Sequence, residues 1–370
     1  MECLQELVAA FESGDVTDLS VACITLTPTG AGDRIRVTRI GDDMGNRANF
    51  IVVENQDWRL YYAHWAGGRI LDALVGGPDL ARRYVQTLRP CPKNEWVDPV
   101  WADGGALIDF DRGRVLFFGD TVMDGMNERR AALAVLGEVW PGFEIGWAYD
   151  GTVELAGYVG AELPPYQWDR KPTVRLARGR NHMCHLVSVV GEDGQLRMWP
   201  LWWHLSKAWH GPALIDMLPG RGVTTLKLGK IPEGGCHIDI PRKRLGAWQT
   251  ADTMGFFQAL PELWPGWQTE CWDDRYDEHV RHCNGALRLP DLDLASGAEN
   301  VRSWVGERVF ESFEDSPQGH IVKLAGMLSP LAPGFEVSSD AVAGTPDRPS
   351  QQEWARFEDA CDLLGRREVA

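Results

Sequence analysis

Histidine and cysteine are the residues here whose type and spacing best support chemistry. The chain holds 9 histidines and 8 cysteines, and eleven of them lie between His182 and Cys283. Two adjacent pairs, Cys184-His185 and Cys236-His237, fall on predicted strands, where alternation sends one member of each pair to each sheet face. If those strands are neighbours, cysteine meets cysteine and histidine meets histidine. His279, His282 and Cys283, spaced i, i+3, i+4, share one face of a predicted helix. Imidazole and thiolate donors converging in this way suit tetrahedral zinc. The competing reading is packing, because small buried cysteines and satisfied histidines are ordinary core residues. No C-x-x-C or H-x-x-x-H pair anchors the set.

A second set is aromatic. Tyr61, Tyr62, His64 and Trp65 follow one predicted hairpin, and Trp199, Trp202, Trp203 and His204 follow another. Rings so placed either fill a core or line a pocket for a flat or apolar ligand or a sugar. A third set, Asp109 with Arg112 and Arg114 and Asp239 with Arg242 and Arg244, offers paired charges for acid–base work. Its simpler reading is an ion pair pinning a hairpin turn.

The elements that must position these residues recur along the chain. Gly104, Gly105, Ile108, Asp109, Arg112 and Arg114 match Gly234, Gly235, Ile238, Asp239, Arg242 and Arg244, and Trp140-Pro141-Gly142 matches Trp264-Pro265-Gly266. Weaker matches keep the same order, among them Gly77-Pro78 with Gly211-Pro212. The order points to a tandem duplication of a β-β-α-β-β-α-β unit. In this register Cys184 and His185 replace Asn49 and Phe50, and Cys236 and His237 replace Ala106 and Leu107. The second copy has thus gained the ligand-type residues.

Hairpins imply antiparallel neighbours, so the expected fold is α+β, with mostly antiparallel sheets, helices packed on a face and the copies about a pseudo-twofold axis. Residues 1–43 read as a helix and hairpin extending the first copy. Residues 44–160 form copy one, 161–180 a Pro-rich linker and 181–284 copy two. Residues 285–370 form a helical region, and residues 328–337 resemble part of a third copy.

The 370 residues carry 37 basic and 53 acidic side chains, a formal charge of −16. That charge repels a phosphate backbone, and no apolar run reaches membrane-spanning length, so nucleic acid and membrane are not expected partners. The N-terminus lacks a secretory pattern and the cysteines are sparse, which predicts a soluble cytoplasmic protein with reduced thiols. Phosphate-loop, dinucleotide, nucleophile-elbow and H-E-x-x-H motifs are missing. The expectation is an acidic accessory or inhibitory binding protein that presents an aromatic, acidic cleft or surface to a protein or small-molecule ligand, with a basic partner suiting the charge. The alternative is a metal-dependent or His/Cys/Asp-based enzyme whose active site lies in the second copy.

Overall fold

Apolar, β-branched runs separated by turn residues pair as hairpins, and the segments between them coil over the sheet faces. The computed structural model describes residues 46–121, 125–166, 173–178, 184–202, 206–251, 253–328 and 347–369, with short pieces at 26–28, 35–37, 39–40, 336–337 and 339–342. In chain order the first unit holds β1 (Arg47–Glu54), β2 (Asp57–Ala63), α1 (Pro78–Gln86), β3 (Arg89–Cys91), β4 (Ala102–Asp109), β5 (Arg114–Phe118), α2 (Met126–Val139), β6 (Glu144–Trp147) and α3 (Thr152–Tyr158). The second holds β7 (Cys184–Val190), β8 (Leu196–Trp202), β9 (Gly234–Asp239), β10 (Arg244–Gln249), α4 (Phe256–Leu263), β11 (Gln268–Cys271) and α5 (Tyr276–His282). Three long helices follow, α6 (Leu294–Val309), α7 (Pro317–Leu328) and α8 (Gln351–Val369), with a short helical turn at Ser339–Val342 before the last.

The two sheets share one plan. The first runs β3-β2-β1-β4-β5-β6 and the second β8-β7-β9-β10-β11. In both, the hairpins β1/β2, β4/β5, β7/β8 and β9/β10 are antiparallel. The joins β1/β4, β5/β6, β7/β9 and β10/β11 are parallel. The sheets are therefore mixed, which corrects the expectation of mostly antiparallel pairing. Each crossover returns the chain beside an earlier strand in the same direction, which a hairpin cannot do. Each unit also ends in one more helix than expected, α3 or α5.

The expected N-terminal hairpin is present in part, with Leu26–Pro28 paired to Ile35–Val37. The helix expected before it lies outside the described residues, as does most of the 328–337 motif. Glu336–Val337 pairs in parallel with Arg39–Ile40. No helix among the described residues is long and apolar enough to cross a membrane.

The C-terminal helices complete the first unit's core. Val301 and Val305 of α6 and Phe357 and Cys361 of α8 belong to the same buried cluster as Phe50, Leu107 and Trp140, and both helices lie against α2. A buried ion-pair network fixes this docking. Arg308 grips Asp120 through both terminal nitrogens (2.8 and 2.9 Å) and reaches Asp72 at 3.0 Å. Between the units, Asp150 is buried and accepts hydrogen bonds from the amides of Phe257 (2.9 Å) and Gln258 (2.7 Å) and from the Thr253 hydroxyl, so it caps the start of α4.

Helix α8 begins with a reciprocal cap. The Ser350 amide donates to Glu353 at 2.7 Å, and the Glu353 amide donates to the Ser350 hydroxyl at 3.3 Å. Burial alone would raise the Glu353 carboxyl, but hydrogen bonds from Arg83 and Ser350 outweigh it and hold it at about 2. A carboxyl lower in the folded than in the unfolded chain adds stability above its unfolded value, near 4.5. That stability is lost as pH falls toward 2. Urea unfolding should therefore show part of the acid sensitivity between pH 5 and 3 disappear in Glu353→Gln. A variant as acid-sensitive as wild type would contradict this.

Candidate functional site in the second unit

Parallel pairing of β7 with β9 sets the site, because it places Ser188 beside His237 and Val187 beside Cys236. Both Ser188 and His237 are buried, on the face that α5 covers. From α5, His279 and Cys283 project into the same space, one turn apart. The donor atoms of His237, His279 and Cys283 lie within 4.8 Å of one another, so these three could hold a metal ion.

At their centre is a residue the sequence did not single out. The Ser188 hydroxyl lies 2.8 Å from His237 Nδ1 and 2.6 Å from His279 Nε2, and it also reaches Cys283. Trp248 then settles the protonation of His279. Its indole N–H, which can only donate, points at His279 Nδ1 from 3.0 Å. Neutral His279 therefore carries its proton on Nε2 and donates to Ser188. Ser188 has one proton left to give, to His237 or to Cys283.

Burial keeps these groups uncharged. It pushes His237 down to about 4, helped by the neighbouring His282, and holds His279 well below the usual histidine value. It pushes the Cys283 thiol up to about 11. A cavity opens above His237, lined also by Asp239, Arg244, Glu270, Trp272 and His282. There His282 stacks on Trp272, with ring centroids 5.0 Å apart and planes 17° from parallel.

The first unit shows what this place holds when it serves only packing. Its corresponding ladder pairs Ile51 with Leu107, both fully buried. A Cβ on Gly105 would strike Leu155 and Phe118, and one on Gly235 would strike His279 and Trp248. Leu155 thus stands where His279 does, and Phe118 where Trp248 does. Along the paired helices α3 and α5, Tyr158 then matches His282, and Val159 matches Cys283. The Tyr158 hydroxyl bonds Asp109 at 2.8 Å, at the place where His282 borders the cavity. Ile, Leu, Leu, Val and Tyr in the first unit are Ser, His, His, Cys and His in the second.

Four of the seven expected ligands gather here: His237, His279 and Cys283, with His282 beside them, its ring centroid 5.1 Å from that of His237. Three do not. Cys236 packs in the core on the opposite sheet face with Val187 and Trp199. His185 is buried near Lys207 and Ser206. Cys184 begins β7 near Glu233, its thiol pushed up to about 12 by burial. The ladder sets His185 against Gly234 and Ala48 against Gly104, so His185 occupies the place of Ala48 and not of Phe50. Hence cysteine shares a face with histidine, not with cysteine. Asp109 and Asp239 accept the amides of Arg112 (2.9 Å) and Arg242 (3.1 Å), the turn-pinning role.

The aromatic residues separate into two places. Tyr62, His64 and Trp65 line a cavity in the first unit, closed by Arg69, Arg308, Glu311 and Asp340. The Tyr62 hydroxyl lies 2.9 Å from His64 Nδ1, and the Trp65 indole donates to the Ala341 carbonyl at 2.9 Å. Its arginines 69, 89, 308 and 348 balance Asp72, Glu311, Asp340 and Asp347, so the cavity is charge-balanced and not acidic. Tyr61 packs against the first core and Trp199 in the second. Trp202 is exposed beneath Arg175, whose guanidinium lies 4.4 Å from the ring centre. Trp203 and His204 lie outside the described residues.

Comparison with known proteins gives no match: no family model, no curated protein and no solved structure aligns with this chain.

Two signals could have exposed the missed residues. Ser188 is a single hydroxyl within an apolar strand, where a buried donor needs a partner. Trp248 adds a donor where the first unit has a phenyl ring. If this cluster is not required for folding, Ser188→Ile/His237→Leu/His279→Leu should fold and lie within about 2 kcal/mol of wild type in urea unfolding. His279→Ala alone strands the Trp248 indole N–H and removes the donor that Ser188 accepts, and should cost about 2–5 kcal/mol. The reverse ranking would make the polar network a requirement of the fold.

Proposed function

We propose that the chain is a tandem duplication in which the first copy is scaffold and the second is the working half, a cytoplasmic, metal-dependent protein. Its ion would be held by His237, His279 and Cys283, with His282 at the adjoining cavity. Tetrahedral zinc suits two imidazoles and a thiolate. One observation carries this reading: five clustered positions that pack as apolar or plugging side chains in the first unit carry N, O and S donors in the second. A buried polar network is a poor way to gain stability compared with an apolar core, so its presence in one unit alone points to use. The cavity beside His237, with Trp272 as a flat wall and paired arginines and carboxylates around it, offers a small polar substrate a seat next to the ion. The cysteines among the described residues are free thiols, in keeping with a reducing compartment.

Elemental analysis of the untagged full-length protein should find close to one zinc, or another transition metal, per chain after equilibration with the ion. That metal should be lost in His237→Ala and in Cys283→Ser. Substoichiometric metal in wild type, or retention in both variants, would contradict the assignment.

The cavity at Tyr62, His64 and Trp65 supports a second reading, that of an accessory or inhibitory binding protein for a flat-faced ligand or a partner. Saturation-transfer NMR with a panel of sugars and aromatic heterocycles should then give a signal that Tyr62→Ala removes. Silence across the panel would count against it.

A further inference from the structure

We infer that Trp248 and Ser188 make the second-unit cluster an exchangeable metal site rather than a structural one, because together they satisfy its donors in the ion's absence. This rests on the reading of His237, His279 and Cys283 as ligands. A structural zinc site leaves its ligands without partners when empty, and the fold then depends on the ion. Here the chain from Trp248 to His279 to Ser188, and on to His237 or Cys283, closes without one.

An ion entering this site must undo that chain in two places. Ligand nitrogens of a tetrahedral zinc lie about 3.3 Å apart. The Ser188 oxygen, 2.8 and 2.6 Å from the two imidazoles, occupies the space the ion needs and must turn aside. His279 must also free Nε2 for the metal, which moves its proton to Nδ1. That proton would then face the Trp248 N–H, donor against donor, where ligating histidines normally find an acceptor. The Cys283 thiol gives up its proton to become the ligand. The balanced step takes one zinc ion, releases one proton to solvent and shifts one proton within His279. Trp248 and Ser188 are thus positioning residues that set affinity without touching the ion.

The first unit lacks every part of this lock. Phe118 replaces the indole, and Ile51 replaces the serine. Gly235 is needed for it, because a Cβ there would lie 2.7 Å from Trp248 Nε1 and 2.9 Å from His279 Nδ1.

The test is zinc competition against a chromophoric chelator, using full-length protein first stripped with EDTA. Stripped wild type should keep its far-UV circular dichroism and melting temperature. Trp248→Phe should bind zinc roughly fivefold tighter, the factor carried by one net hydrogen bond, and Ser188→Ala should also bind more tightly. Nitrogen-15 spectra of the histidines should show His279 protonated on Nε2 without zinc and on Nδ1 with it, a change that a packing role for Trp248 would not produce. Unfolding on stripping, or unchanged affinity in both variants while wild type still binds zinc, would overturn the lock and leave the metal assignment standing. Absence of zinc binding in wild type and in both variants would overturn both.

Discussion

One serine hydroxyl, with a single proton to give and two imidazoles and a thiol around it, organises the second unit. Its position follows from the parallel ladder between β7 and β9, which fixes Ser188 opposite His237. A shift of one residue in that register would send Ser188 to the other face and leave two buried histidines without their shared partner. The helix above must then begin where it does, so that His279 falls over Gly235, where no Cβ blocks its approach to Trp248. Strand register, helix start and one glycine are therefore coupled through a single hydrogen-bonded oxygen.

The first unit solves the same geometry with shape alone. Ile51, Leu107 and Leu155 fill the corresponding space, and α6 and α8 add a further apolar layer to that unit. The arginine that seats α6, Arg308, shares two buried carboxylates, so its removal would leave Asp72 with Arg69 as its remaining cation and take two charge-assisted bonds from Asp120. The larger apolar core thus lies in one half, while the buried histidine, serine and cysteine cluster lies in the other. Asp150 joins them, because a carboxylate that follows the first sheet caps a helix of the second.

Much of this was legible in the sequence, and the reason is local chemistry. The Gly-Gly and Trp-Pro-Gly matches fall on strands and turns at the same places in the two sheets, and five strands of each run in the same order with the same directions, the first sheet adding β3 at its edge. Spacing at i, i+3, i+4 placed His279, His282 and Cys283 on one helix. What could not be read was which strand lies beside which, and in what register. Without the parallel joins, Cys184, His185 and Cys236 looked equivalent to His237, although only His237 shares the centre of the site. Ser188 and Trp248 stayed hidden because their role depends on a contact between β7, β10 and α5 that no sequence period encodes.

The most direct test of the account is the absorption spectrum of the full-length protein titrated with cobalt(II), whose bands report both coordination geometry and sulfur ligation. A site built from His237, His279 and Cys283 should give tetrahedral d–d bands together with a thiolate-to-cobalt charge-transfer band that saturates at one ion per chain and is absent in Cys283→Ser. Octahedral spectra without the sulfur band, or a sulfur band that survives Cys283→Ser, would contradict it.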